Sequence, residues 1–162
     1  MLRNLRQSLI QATVAGGDML KLDLDLKKVT QKLDGITKAS AEAVRPAAQA
    51  GAQVFYERAK AEAPVSKAAH NFHIGGRVYG PFSPGNLRDS IYQVYAKGKS
   101  AEGRAVYEVS FNHTKAPYGF AVLRGRSGVA ANDFIGRAYD SELRAAVQVA
   151  QSRLQTEIKK AL

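Results

Sequence analysis

The sequence predicts an α+β fold: a small antiparallel sheet, a long C-terminal helix, one or two N-terminal helices packed on one face, and long central loops. Three observations carry this. The two flanks are rich in Ala, Leu, Gln and Lys, which favour helix, whereas residues 64–128 hold most of the glycines and four of the five prolines. Apolar spacing changes from three-and-four in the flanks to two in the centre, the change that separates helix from strand. With 162 residues, 45% of them apolar, the chain falls in the range of one core.

Leu20 to Leu24 alternates as a short edge strand. Leu26, Val29, Leu33 and Ile36 then fall on one stripe of an amphipathic helix, with Asp34-Gly35 as its stop. A second helix from about Thr37 carries Ser40, Ala43, Ala47, Gly51, Val54 or Phe55, and Ala59 on one face until Pro64. Those small residues allow another backbone to come close, although helix propensity alone also accounts for them. Pro46 lacks an amide donor and clashes with the preceding turn, so a kink or a fresh start is expected near Val44-Arg45. Ser66 to Pro84 reads as a long loop, a functional arm. Residues 90–96 and 104–111 read as a hairpin joined by KGKSAEG, and Tyr118 to Leu123 as another strand. Tyr139, Leu143, Ala146, Val147, Ala150, Leu154, Ile158 and Leu162 predict one long final helix, with Glu142, Arg144, Gln148, Arg153, Glu157 and Lys159 on its opposite face.

Lys and Arg number 24 against 14 Asp and Glu, a formal charge of +10, and such an excess favours an anionic partner. The segments carry +3 over residues 1–63 (10 basic, 7 acidic), +6 over 64–128 (9 basic, 3 acidic) and +1 over 129–162 (5 basic, 4 acidic). No Cys is present, which removes disulfides, Cys-containing zinc sites, iron–sulfur ligation and thiol catalysis. No apolar run approaches a membrane span, and Arg3, Arg6 and Gln7 interrupt the first residues, so a soluble intracellular protein is expected.

Catalytic patterns are absent. The chain has no G-x-S-x-G, H-E-x-x-H or Walker loop, and the basic middle holds only Asp89, Glu102 and Glu108. No enzyme and no cofactor is expected. His70 and His73 have a spacing that would bring two imidazoles to one metal, but no third His or nearby carboxylate joins them; His113 reads as a turn residue. Arg77, Tyr79, Phe82, Arg88, Tyr92 and Tyr95 interleave bases with aromatics. They read either as a stacking platform for single-stranded nucleic acid or as a half-buried sheet face with snorkelling arginines. Arg124 and Arg126 read as part of a solvated loop able to touch phosphate or an acidic partner.

Four stretches in order carry a resemblance: ERAKAEAPVSKAAHNF, GPFSPGNLRDSIY, KAPYGFAVLRG and DFIGRAYDSELRAAV. Together they resemble the neck or tail-completion (head–tail connector) proteins of long-tailed double-stranded DNA bacteriophages. Pro64, Pro84, Gly85, Leu87, Arg88, Ser90, Ile91, Ala116, Pro117, Tyr118, Gly119, Gly125, Phe134, Ile135 and Ala138 occupy the family's positions. Leu123 stands where the family has Glu, and Asp133 and Gly136 where it has Pro. The resemblance covers residues 19–162 as a single domain and leaves 1–18 as an N-terminal extension. In that extension Leu2, Leu5, Leu9 and Ile10, with Arg3 and Arg6, predict a short amphipathic helix.

The resemblance implies a structural virion protein, a homo-oligomeric ring of six or twelve subunits in the neck. It would join a head-closure or adaptor protein to the tail terminator or tube protein, with double-stranded DNA passing through without sequence specificity. Assembly would occur in the host cytoplasm. A tail terminator ring and a monomeric basic nucleic-acid-binding module are the alternatives. Interface candidates are Tyr79, Phe82, Tyr118, Arg124 and Arg126, because aromatics and Arg dominate interfaces. Arg77, Lys97, Lys99 and Arg104 are the candidates for the DNA channel or an acidic partner.

Overall fold

A computed structural model describes residues 10–15, 19–24 and 26–161. In chain order the elements are β1 (Ile10–Ala15), β2 (Met19–Leu24), α1 (Leu26–Glu62), β3 (His70–Ile74), β4 (Arg77–Phe82), α2 (Asn86–Asp89), β5 (Ile91–Tyr95), β6 (Tyr107–Phe111), α3 (Gly119–Arg124) and α4 (Phe134–Ala161). The strands form three antiparallel hairpins, β1–β2, β3–β4 and β5–β6. The α+β class predicted from the sequence is the one observed.

The two predicted N-terminal helices are one. α1 runs for 37 residues through both Gly35 and Pro46, so neither the stop at Asp34-Gly35 nor a fresh start near Val44-Arg45 occurs. Gly35 sits in open space, where it costs about 1 kcal/mol relative to Ala. A helix this long absorbs that. Pro46 removes one backbone bond, but the helix is held on either side of it by burial of Ala39, Ala43, Ala47 and Ala52. The small-residue stripe does admit another backbone. A Cβ on Gly51 would lie 3.1 Å from the Ala146 carbonyl oxygen and 3.3 Å from the Ala150 Cβ on α4.

On α4 the buried line is Phe134, Ala138 and Ala146 rather than the whole predicted stripe. Tyr139, Leu143 and Val147, at spacings of four, are 52%, 40% and 46% exposed. Glu142 and Glu157, assigned from sequence to the outer face, are instead half-buried. The alanines against α1 set the rotation of α4, because they alone are small enough for the close approach.

The core joins the end of α1 (Ala59, Ala63) to Phe72, Leu87, Ile91, Phe111, Ala116, Tyr118, Phe134 and Ala138. β5 and β6 form the predicted hairpin and pair from Ile91↔Phe111 to Tyr95↔Tyr107. Three other expectations change. The Ser66–Pro84 loop contains a hairpin, with Gly75 and Gly76 at φ 57° and 74° making its turn. Tyr118 to Leu123 is not a strand; it forms most of α3, because Gly119 lies under the Phe111 ring where any side chain would overlap it. Leu20 to Leu24 is a strand, paired with β1 from Ile10↔Leu24 to Ala15↔Met19. Ile10 therefore belongs to a strand and not to the predicted amphipathic helix, whose other members, at positions 2, 5 and 9, lie outside the described residues.

Candidate functional site

The motif residues act first on the fold. Gly85 adopts φ 84° at the start of α2, a left-handed conformation that glycine reaches without a Cβ penalty. Leu87 is then 2% exposed, and the Ser90 hydroxyl donates to the Leu87 carbonyl at 2.7 Å. Asp133 and Gly136, two departures from the family pattern, belong together. The Gly136 amide donates to the Asp133 carboxylate at 2.8 Å, which caps the start of α4, and a Cβ on Gly136 would overlap that carboxylate. Leu123, the third departure, packs against the core.

The base of the β3–β4 hairpin is an aromatic cluster. His70, Phe82 and Phe72 lie 4.8, 5.0 and 6.2 Å from the Tyr118 ring. Asn86 donates to the Lys115 carbonyl at 2.9 Å and to the Tyr118 hydroxyl at 3.3 Å. Tyr118, 7% exposed, and the half-buried Phe82 thus serve this chain's own core. His70 and His73 lie three apart on a strand and so point to opposite faces. Among the described residues no group of three or more His, Asp or Glu could hold a metal ion.

The other candidates divide. Tyr79 is 37% exposed on β4. The Arg126 guanidinium lies 5.3 Å over Phe72 and that of Arg124 lies 5.4 Å over Phe120, which fixes both arginines along aromatic faces. Lys97, Lys99 and Arg104 gather in the connection between β5 and β6, and Arg77 starts β4 at the tip of the other hairpin. Lys99 is engaged by Glu108 at 2.6 Å. The interleaved set predicted as a stacking platform does not form one face: Tyr92 points out from β5 and is 42% exposed, while Tyr95 packs 5.4 Å from Tyr107 with Arg45 4.4 Å over its ring.

One surface was not anticipated. Between α1, β6 and α4 lies an open apolar groove of about 400 Å³, lined by Ala52, Phe55, Ala105, Val106, Tyr107 and Tyr139 among others. Phe55 and Tyr139, both in its lining, stack on one another with ring centroids 5.2 Å apart. No local signal joins residues so far apart in sequence, and only the packing of α4 on α1 brings them together. Near its end, Glu62 accepts from Arg137 at 3.0 Å and from Arg58 at 2.9 Å.

No protein-family model matches the chain, and no curated protein or solved structure matches it significantly. Among the described residues no helix is long and apolar enough to cross a membrane. The surfaces themselves therefore carry the functional reading. Arg88 and Asp89 form an exposed ion pair at the end of α2. The guanidinium donates to the carboxylate at 2.9 Å and holds the Asp89 carboxyl below the usual carboxylate range, while the Arg88 side chain is raised by the same contact.

Proposed function

We propose that this chain is a structural protein that assembles into a homo-oligomeric ring in the neck of a long-tailed bacteriophage, linking the head-closure proteins to the tail tube around a DNA channel. The observation that carries the reading is the coexistence of a packed core with large apolar side chains left open in separate places. Val78 at one hairpin tip is 61% exposed, and Tyr139 and Val147 on α4 are 52% and 46% exposed. Two different sticky patches on one chain make head-to-tail contacts, which close into a ring when the rotation permits. The ordered motif stretches point to the neck as the place for such a ring. The exposed Arg77, Lys97 and Arg104 then meet acidic partner proteins or the phosphates of passing DNA.

Light scattering across a concentration series, with electron microscopy of the same sample, tests the reading. A closed oligomer is expected. A monomer at every concentration overturns it. If that monomer also binds random duplex with a log–log salt slope of about one unit per phosphate contacted, the nucleic-acid-binding module takes its place.

A further inference from the structure

We propose that the first three turns of α1 are a docking site for an acidic amphipathic helix of another protein. The site is separate from the ring contacts and does not depend on them. α1 outruns α4. The last turn of α4 meets α1 at Ala39 and Ala43, where Glu157 and Lys160 line one cavity with them, and α4 ends at Ala161. Residues 26–38, about 20 Å of helix, lie beyond that meeting point. Every residue from Thr30 to Lys38 is exposed, and the next, Ala39, is buried. A stretch of this length with Gly35 inside it is too short to hold a helix alone in water, so cover from outside the chain stabilises it.

The pattern along this stretch says what shape of cover fits. Leu33 and Ile36 are 58% and 40% exposed and share a three-and-four spacing with Leu26 and Val29. The same spacing runs on through Ser40 to Ala43 and Ala47, which are 2% and 6% exposed. The open stripe therefore continues the face that α4 covers, with Leu and Ile in place of alanine. A face that packs against a helix along one part of its length presents the same ridges and grooves along the next. Its occupant is a helix laid end to end with α4.

Charge decides the chemistry of that helix. Residues 26–38 hold Lys27, Lys28, Lys32 and Lys38 against one carboxylate, Asp34. The exposed Lys27, Lys32 and Lys38 make no ion pair among the described residues. Lys32 directly precedes Leu33 and flanks the stripe, the position at which one helix of a pair meets the charges of the other. Two copies of this stretch would set like charges against each other. The exposed stripe of α4, Tyr139, Leu143 and Val147, offers a second copy no acidic face either, because Asp140 beside it is balanced by Arg144 four residues on. Duplex DNA would meet the lysines but leave Leu33 and Ile36 in water. An acidic helix with its own apolar stripe satisfies both.

The probe is a designed peptide of three heptads with Leu at a and d and Glu at e and g, followed by fluorescence anisotropy and hydrogen exchange on the full chain. Residues 30–38 are expected to exchange freely without the peptide and to be protected with it. The double variant Leu33→Ser with Ile36→Ser, whose side chains lie mostly in solvent, is expected to weaken binding at least about tenfold. Lys32→Glu is expected to weaken the acidic peptide and to favour its counterpart with Lys at e and g, at unchanged melting temperature. Equal binding of a scrambled acidic peptide, or binding unaffected by the double variant, overturns the proposal, because charge alone then accounts for it. Protection of 30–38 by vesicles of phosphatidylglycerol and phosphatidylcholine, with none from the peptide, overturns it in favour of a membrane surface. Light scattering reads the ring separately: a monomer that binds the peptide overturns the ring and leaves this site, and a ring that ignores the peptide overturns this site alone.

Discussion

The two central hairpins have strands of five or six residues and the same antiparallel pairing, yet they are held in different ways. β5–β6 lies along α1, with Ile91 and Phe111 at 5% and 4% exposure and the Gln93 amide reaching the Gln49 carbonyl of α1 at 3.3 Å. β3–β4 touches the core only at its base, through Phe72 and Phe82, and every residue of β4 before Phe82 is exposed. Strand propensity is similar in both. What differs is whether a helix is there to cover one face, and a hairpin without that cover is free to serve a contact outside the chain.

The sharpest way to break this comparison is at the ring that both hairpins depend on. Phe111→Ala removes a buried side chain that also roofs Gly119, and it is expected to cost about 3–5 kcal/mol, read as a lower denaturation midpoint with both hairpins losing amide protection. Phe72→Ala should cost less, at about 2–4 kcal/mol, since that ring sits at the core's margin. Its loss of hydrogen-exchange protection is expected to be confined to β3–β4. Equal loss in both hairpins would show that β3–β4 is as central as β5–β6.

Smaller effects sharpen the picture. Gly76→Ala places a Cβ at φ 74° in open space, so it should destabilise by roughly 1 kcal/mol through backbone strain alone. Breaking the exposed Lys99–Glu108 pair with Lys99→Met should shift stability by less than about 1 kcal/mol, and less still in high salt. Asp89 is the smallest case. Its carboxyl titrates below the usual value because of Arg88, so any contribution is present above the ordinary range of about 3.9 and is lost as pH falls through the lower folded value. A carbon-detected NMR titration should find Asp89 depressed, and Arg88→Gln should return it to the ordinary range.

The local chemistry was legible wherever one segment decides its own structure. Alternation in Ile91 to Tyr95 and Tyr107 to Phe111 specified two strands of one hairpin, and the small-residue stripe of α1 allowed a close helix partner without requiring one. The α4 period was readable too, but its rotation was not. Tyr139, Leu143 and Val147 are as apolar as a core stripe, and only contact with Gly51 and its neighbouring alanines turned them outward.

Tertiary structure decided the rest, for reasons of packing. Pro46 and Gly35 are stop signals on an isolated peptide, yet burial along α1 outweighs a lost bond at one and an entropy cost at the other. Tyr118 to Leu123 has strand composition, but the Phe111 ring lying over Gly119 leaves room only for a tight helical turn. The groove that Phe55 and Tyr139 line exists in no segment at all, because it forms only when two distant helices and a strand come together. By itself, the sequence determined the α+β class, the central hairpin and the basic middle, since propensity, periodicity and charge are local properties. Exposure depends on what lies across the fold, so only the folded chain decided which aromatics face inward and which surfaces remain open for a neighbour.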